Sequence, residues 1–322
     1  MTTVVEIAAH GGPEVLMARD LPLRPPGEGE VRIRQEAIGV NFLDVYFRRG
    51  THRPPALPAV LGVEGAGVVE AVGPAVQDIR IGDRVAYAGM PLGGYAGSRI
   101  IREERLLPLP DDVSASDAAA SLLRGLTAWM LLHRVRTVVP GEWILVHAAA
   151  GGLGQLVSRW AKNRGARVIG TVGRASKREV ALAAGADHVL LHSDDGWAAD
   201  AVRIADGEGV HLAIDGIGGA MLASTLSTVR PFGTCASVGW PAGPVPPIAI
   251  AELAPNVALM RPSIISFVED VDGYRRAAKA FFQEIRNGLI PSRPRLYALA
   301  DAAQAHADLE AGQTTAGIIL VP

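Results

Sequence analysis

The chain has 322 residues, of which 49% are hydrophobic and 20% charged, a composition typical of a globular protein large enough for two domains. Its formal net charge of −2 lacks the basic excess of a dedicated nucleic-acid-binding protein, which excludes DNA as a partner and argues against RNA. The single cysteine, Cys235, excludes an intramolecular disulfide and a thiolate zinc cage. The first residues lack a signal-peptide pattern and no apolar run reaches the ~18 residues that span a bilayer, so we expect a cytoplasmic protein without membrane contact.

The first third of the chain contains short β-like runs that are separated by glycine and proline. Examples are residues 31–34, 67–72 and 83–87. Strands of this length and spacing predict an all-β domain or a partly open barrel.

The pattern changes near residue 115, where a helix is predicted over 116–132 and strands then alternate with helices. This rhythm predicts βαβ units and a parallel sheet. The predicted strands cover 143–147, 167–172, 188–191, 211–215 and 234–238, and the predicted helices cover 153–164, 177–184, 197–205 and 220–229.

The alternation stops after the proline-rich residues 241–247, and helices are predicted over 272–287 and 300–311 before a final strand over 317–321. We expect this tail to return to the first domain. The fold class is therefore α/β, with a doubly wound Rossmann sheet inserted into a β-rich domain. The predicted domains are 1–123, 124–263 and a return segment 264–322.

A glycine turn lies between the first predicted strand of the parallel sheet and its helix. Gly151 and Gly152 allow a pyrophosphate to approach the backbone, Gly154 allows the helix to pack on the strand, and Leu153 begins the helix. The helix N-terminus offers free N–H groups and a favourable dipole to an anion. Ala149 replaces the first glycine of the usual fingerprint, but the strand–turn–helix context predicts a dinucleotide site.

The end of the second predicted strand indicates which dinucleotide is bound. A carboxylate that would bond the ribose 2′-OH of NADH is absent there, and Gly173, Arg174 and Lys177 occupy the place. Basic residues are not favoured at a helix N-terminus, so an anionic partner explains them better than solvent does. The sequence therefore predicts NADPH.

Several motifs in a fixed order extend this interpretation over essentially the whole chain. They are Gly11-Gly12-Pro13-Glu14-Val15-Leu16, residues 37–46, residues 62–69, Gly82-Asp83-Arg84-Val85, Gly125-Leu126-Thr127-Ala128, the Ala-Ala-Gly-Gly-Leu-Gly turn and Arg261-Pro262-Ser263. With them the chain resembles the medium-chain dehydrogenase/reductase superfamily, and within it the quinone oxidoreductase and zeta-crystallin branch. The resemblance implies a GroES-like catalytic domain interrupted by a Rossmann domain, and a homodimer or homotetramer.

The resemblance also implies that the protein holds no metal. Zinc alcohol dehydrogenases of this superfamily carry cysteine where this chain has Asn41, and Gly-His-Glu where it has Gly62-Val63-Glu64. Without these ligands no zinc polarises an alcohol or aldehyde, so quinones and activated alkenes are the expected acceptors.

Site residues follow from the same resemblance. Asn41 and Tyr46 are implied in the cleft near the nicotinamide and the acceptor, and Thr127 on the nicotinamide side. Gly151, Gly152, Gly173 and Lys177 are implied as phosphate contacts. Residues that surround the nicotinamide half of the cofactor are implied at Val238, Gly239, Trp240, Arg261, Pro262 and Ser263.

Three positions leave alternatives open. At two of them, His52 at the substrate rim and His192 beside the adenosine phosphate, the branch often has tyrosine. His192 retains the ability to bond or charge-pair the phosphate. Arg124 either contacts substrate or lies on the interdomain face.

The expected function is therefore metal-independent transfer of hydride or electrons from NADPH to a quinone. An enone, alkenal or enoyl reductase is the alternative within the same class. A nucleotide- or RNA-binding, crystallin-like protein is the alternative from another class, and the near-neutral charge argues against it.

Overall fold

The computed structural model describes residues 1–289, 293–312 and 314–322. Its strands are β1 (Thr2–Ile7), β2 (Met17–Leu21), β3 (Glu30–Val40), β4 (Ala59–Val60), β5 (Glu64–Val72), β6 (Arg84–Ala88), β7 (Ser98–Arg102), β8 (Leu107–Pro108), β9 (Trp143–Val146), β10 (Arg167–Val172), β11 (His188–Leu191), β12 (Val210–Asp215), β13 (Val229–Ser237), β14 (Ala258–Met260), β15 (Arg295–Ala298) and β16 (Ile318–Val321). Its α-helices are α1 (Phe42–Arg49), α2 (Ala115–Ala119), α3 (Leu122–Trp129), α4 (Gly152–Asn163), α5 (Arg178–Ala183), α6 (Trp197–Ile204), α7 (Met221–Leu226), α8 (Ile264–Phe267), α9 (Val271–Arg286) and α10 (Ala302–Glu310).

The chain divides into two compact units. The first unit combines Met1–Leu123 with Ile265–Pro322, and the second comprises Arg124–Ile264. These limits differ by one residue from the predicted segments 124–263 and 264–322. The assignment of the units to catalysis and to cofactor binding stays a prediction.

The first unit is built on a sheet of order β15-β16-β3-β5-β6-β8, with β7 also paired to β3, and on a small sheet of order β2-β1-β4. Side chains of β3 alternate between the interior and the surface, so that Val31 and Ile33 join the core with Val85 and Ile101. The last strand, β16, pairs antiparallel with β3. The predicted return of the tail to the first domain is therefore confirmed.

The second unit contains a sheet of order β11-β10-β9-β12-β13-β14, and all of its described pairings are parallel. Counted from β9, this order is 3-2-1-4-5-6, the arrangement of a doubly wound dinucleotide-binding sheet. Every residue of β9 is buried, because helices cover both faces of such a sheet. The predicted α/β fold class is confirmed.

Three local predictions were wrong. The helix predicted over 116–132 is broken into α2, α3 and a π-helical turn, Met130–Val135, and the Ser121 hydroxyl donates to the Asp117 carbonyl at the break. The helix predicted over 220–229 ends at Leu226, because Val229 pairs with Val210 in the sheet. The sequence also gave no sign of β14, the sixth parallel strand.

Candidate functional site

The turn after β9 is built for close approach of backbone to backbone. Ala148 adopts a left-handed φ of 50°, and its carbonyl accepts a hydrogen bond from Gly151 N at 2.7 Å. A methyl group on Gly154 would lie 2.7 Å from the Ala149 Cα and overlap the Ala148 carbonyl oxygen. Glycine at 154 therefore allows α4 to begin directly against the turn.

The helix α4 exposes an N-terminus that no side chain of its own caps. Gly151 is the N-cap residue, so the cap position supplies no side-chain hydrogen bond, and the first turn of the helix contains no acidic residue. The guanidinium of Arg124 lies against this turn, since a methyl group on Gly152 would overlap it, with Cζ 2.9 Å away. Thr127 lies one turn further along α3 and is half-buried.

The loop after β10 brings together the residues predicted to bind a 2′-phosphate. Gly173 and Arg174 are exposed, and Lys177 is half-buried in a short 3-10 turn before α5. His192 follows the neighbouring strand β11, and its ring would lie 3.2 Å from a methyl group on Gly173. The His192 Nδ1 atom is buried and has no hydrogen-bond partner among the described residues. Burial lowers the pKa of His192, so the ring favours a neutral hydrogen bond over a charge pair.

The predicted nicotinamide walls follow two neighbouring strands. Val238, Gly239 and Trp240 come after β13, and the Arg261 to Ser263 segment, with Pro262 between, comes after β14. The Arg261 guanidinium lies 4.7 Å from the centre of the Trp240 ring, a cation–π distance. The two segments therefore meet at the carboxyl edge of the sheet, where doubly wound folds bind their ligands.

Asp215 is a residue of this edge that the sequence did not single out. It ends β12, and its Oδ1 atom accepts from the amides of Ile217 and Gly218 at 2.8 and 3.0 Å. Its Oδ2 atom is buried without a partner among the described residues, and burial raises its pKa. The carboxylate thus fixes the loop that packs against the backbone of Trp240.

In the first unit, Asn41 is fixed by a buried carboxylate. The Asn41 side-chain amide donates to Glu64 Oε2 at 2.7 Å, and the other Glu64 oxygen accepts from the Leu123 amide at 2.6 Å. The Asn41 backbone amide donates to Asp44 Oδ2 at 2.8 Å, which begins α1. Glu64 and Asp44 are fully buried.

Tyr46 and His52 form a second contact in this unit. Their rings meet edge to face, with centres 5.6 Å apart, and His52 N donates to the Tyr46 carbonyl at 3.1 Å. Both side chains are half-buried. Tyr46, which was predicted near the acceptor, and His52, which was predicted at the substrate rim, are therefore in contact.

A buried polar chain connects α1 to α10, and sequence reasoning missed it. The Arg48 side chain has no exposed surface, and it contacts His306 Nδ1 at 3.1 Å and the Glu310 carboxylate at 2.8 and 2.9 Å. Because Arg48 can only donate, the Nδ1 atom of His306 accepts this hydrogen bond. The ring proton of His306 is therefore on Nε2, which donates to the Tyr95 hydroxyl at 2.8 Å. Burial lowers the pKa of His306 to about 3, which keeps the ring neutral.

A metal-binding cluster and a membrane-spanning helix are both absent from the described residues. No group of three or more His, Cys, Asp or Glu residues in these ranges is arranged to hold a metal ion. Within the same ranges, no helix combines the length and apolar character that crossing a bilayer requires.

Comparison with known proteins identifies the family. The family model of the alcohol dehydrogenase GroES-like domain matches residues 27–111, and that of the zinc-binding dehydrogenase matches residues 152–279. A quinone oxidoreductase of Pseudomonas aeruginosa is 39% identical, with 100% of both chains covered. The chain belongs to the quinone oxidoreductase branch of the medium-chain dehydrogenase/reductase superfamily.

Two further relatives bear on function. The crystal structure of Escherichia coli quinone oxidoreductase complexed with NADPH superposes with a TM-score of 0.95 at 36% identity, covering 99% of this chain and 100% of that one. A 2-haloacrylate reductase of a Burkholderia species is 36% identical over 100% of this chain and 99% of its own.

Proposed function

We propose that the protein is a metal-independent, NADPH-dependent quinone oxidoreductase of the quinone oxidoreductase branch. One observation carries the proposal. The loop after β10 contains Gly173 and Lys177 but no carboxylate, and His192 lies against Gly173. This loop is beside a glycine turn at the carboxyl edge of a sheet of order 3-2-1-4-5-6. Relatives named quinone oxidoreductase, one of them crystallised with NADPH, support the same function.

The second unit fits the chemical groups of NADPH. The α4 N-terminus suits a pyrophosphate, and Arg174 and Lys177 suit a 2′-phosphate. His192 would add a hydrogen bond to that phosphate. NADPH, when bound, supplies the hydride.

The first unit would supply the hydrogen bonds to the acceptor. Glu64 fixes the Asn41 amide, and Tyr46 presents a hydroxyl, so both could bond the oxygen on which negative charge develops. The proton that completes the reduction would come from Tyr46 or from water. Positioning of the acceptor and exclusion of water would account for most of the rate.

Reduction of an activated alkene is the second candidate, and the 2-haloacrylate reductase relative favours it. The same site would accept hydride at the β-carbon of an enone, alkenal or unsaturated acid. A nucleotide- or RNA-binding, crystallin-like role is the alternative from another class, and the charge of −2 weighs against it.

We also propose a cytoplasmic homodimer or homotetramer. The edge strand β14 is exposed at all three residues, including the apolar Leu259 and Met260. An exposed strand edge is a template for pairing with another chain, and a twofold axis would pair it with its own copy. Sedimentation equilibrium of the protein would test this assembly.

The deciding experiment measures direct binding of NADPH and NADH, then steady-state rates with a quinone, an enone and a haloacrylate, together with metal analysis. We expect the Lys177→Ala variant to bind NADPH about 10- to 100-fold more weakly and NADH unchanged, because one charge-assisted phosphate contact is lost. Lys162→Ala is the control, since Lys162 pairs with Asp187 instead. Equal loss for both cofactors, or stoichiometric zinc in the active protein, would overturn the proposal.

A further inference from the structure

Ala148 is the strained point of the turn between β9 and α4. Its φ of 50° lies in the left-handed region, where the Cβ of alanine crowds a carbonyl oxygen and only glycine is free of strain. This strain lowers the population of the conformation by a factor of about 5 to 30. The conformation also closes the turn, since the Ala148 carbonyl accepts from Gly151 N at 2.7 Å. The surrounding structure must therefore hold Ala148 in place.

The residues on both sides of Ala148 are anchored on Thr171 of β10. After Ala148, the amide of Ala149 donates to the Thr171 carbonyl at 3.0 Å. Before Ala148, the Nδ1 atom of His147 lies 2.7 Å from the Thr171 hydroxyl oxygen. Because one anchor is a backbone contact and the other a side-chain contact, the His147 ring is the part of this arrangement that depends on residue type.

The hydrogen bonds of the His147 ring define one neutral tautomer. Its Nε2 atom lies 2.8 Å from the hydroxyl oxygen of Thr225 in α7. That hydroxyl donates its only proton to the Met221 carbonyl at 2.9 Å, so it accepts from Nε2–H, and Nδ1 accepts from Thr171. Burial, with a smaller effect of the charge on His192, lowers the pKa of His147 to about 3. The ring is therefore neutral at neutral pH and is held at both nitrogens.

We infer that His147 is a positioning residue for the dinucleotide, because its ring keeps Ala148 in the left-handed conformation before the cofactor binds. The inference rests on the proposed function, since it assumes that a nicotinamide dinucleotide binds at this turn. A protein that adopts its binding conformation only part of the time loses affinity in proportion to that fraction. Loss of the ring should therefore weaken by the same factor every ligand that uses the turn.

A double-mutant cycle between positions 147 and 148 tests this inference. His147→Phe removes both hydrogen bonds and keeps an aromatic ring beside Trp197, whose ring centre lies 5.2 Å from that of His147. Ala148→Gly removes the strain of the left-handed conformation. Dissociation constants for NADPH, NADH and 2′-AMP are measured by titration calorimetry for the wild type, both single variants and the double variant.

We expect His147→Phe to weaken NADPH and NADH by the same factor, about 5- to 30-fold. Adding Ala148→Gly should return both constants to within about threefold of the wild type, because glycine adopts this φ freely. Ala150→Gly in the His147→Phe background is the matched control and should restore nothing, since the φ of Ala150 is not left-handed. Binding of 2′-AMP, which lacks the pyrophosphate, should stay unchanged and show that the variants are folded.

Three outcomes would overturn the inference. If His147→Phe binds both dinucleotides as the wild type does, the ring does not hold the turn. If 2′-AMP weakens as much as the dinucleotides, the ring supports the whole unit. If Ala148→Gly restores no more affinity than Ala150→Gly, the loss does not arise at Ala148.

A second variant keeps the test decisive if His147→Phe does not fold. Thr171→Val keeps the shape of the side chain and removes only the hydrogen bond to Nδ1 of His147. It should weaken both dinucleotides equally, and Ala148→Gly should again restore the affinity; a loss that Ala148→Gly does not restore would contradict the inference. Failure of the wild type to bind either dinucleotide would instead contradict the proposed function itself.

Discussion

Glu64 and Asn41 form a buried pair in which the carboxylate determines the orientation of the amide. Glu64 Oε2 accepts from Asn41 Nδ2 at 2.7 Å, while its other oxygen is held by the Leu123 amide at 2.6 Å. Both Glu64 oxygens accept, so the amide nitrogen of Asn41 must face Glu64. Glu64 is therefore a positioning residue for the proposed acceptor contact.

Glu64→Gln should lower activity through this orientation. Glutamine has one accepting oxygen, so one of the two N–H donors would face its NH2 group, which costs about 1–3 kcal/mol of stability. We expect kcat with a quinone to fall about tenfold or more while the Kd for NADPH stays unchanged. Glu104→Gln, on an exposed side chain, is the control. A variant with normal kcat would show that Glu64 acts on stability alone.

Arg48→Met and Arg49→Met should differ strongly although both arginines contact Glu310. The side chain of Arg48 is 0% exposed and that of Arg49 is 55% exposed. Loss of Arg48 leaves His306 and Glu310 without their buried donor, which we expect to cost about 3–5 kcal/mol. Loss of Arg49 should cost at most about 1 kcal/mol because water screens the pair. Urea unfolding measures both, and similar losses would contradict the structural role given to Arg48.

The parts of the fold that could be predicted are those determined by residues close together in the sequence. The limits of β10 and β11 follow from short apolar runs between glycine-rich turns, and the glycine turn before α4 is readable because its residues are contiguous. The Arg48–His306 contact joins residues 258 positions apart, and no local pattern indicates it. The strand β14 escaped prediction because it has three residues, all exposed, and forms only against β13.

Asp44→Asn should change the pH dependence of stability. Burial, with help from the charge of Glu64, raises the pKa of Asp44 to about 7 from its usual 3.8. Below pH 4 the Asp44 carboxyl is protonated in both the folded and the unfolded protein. As the pH rises the unfolded chain ionises first, so the contribution of the protonated carboxyl to the free energy of unfolding falls and is lost once the pH passes 7. Asparagine does not titrate and still accepts from the Asn41 amide.

The stability of Asp44→Asn relative to the wild type should therefore rise between pH 4 and pH 8, by up to about 4 kcal/mol. Urea titrations at several pH values measure this difference, in which the other titrating groups cancel. A difference that stays constant with pH would show that Asp44 ionises normally in the folded protein.

His192 should contribute to NADPH affinity as a neutral hydrogen-bonding group. Burial lowers its pKa, and its ring lies against Gly173 in the proposed 2′-phosphate pocket. Loss of one neutral hydrogen bond weakens binding by about 3- to 10-fold. We therefore expect His192→Phe to weaken NADPH by this factor and leave NADH unchanged. His192→Tyr, which restores a hydroxyl donor, should keep the affinity of the wild type. If His192 instead acted as a cation, both variants would lose affinity alike, and wild-type affinity would rise as the pH falls through the pKa of the ring.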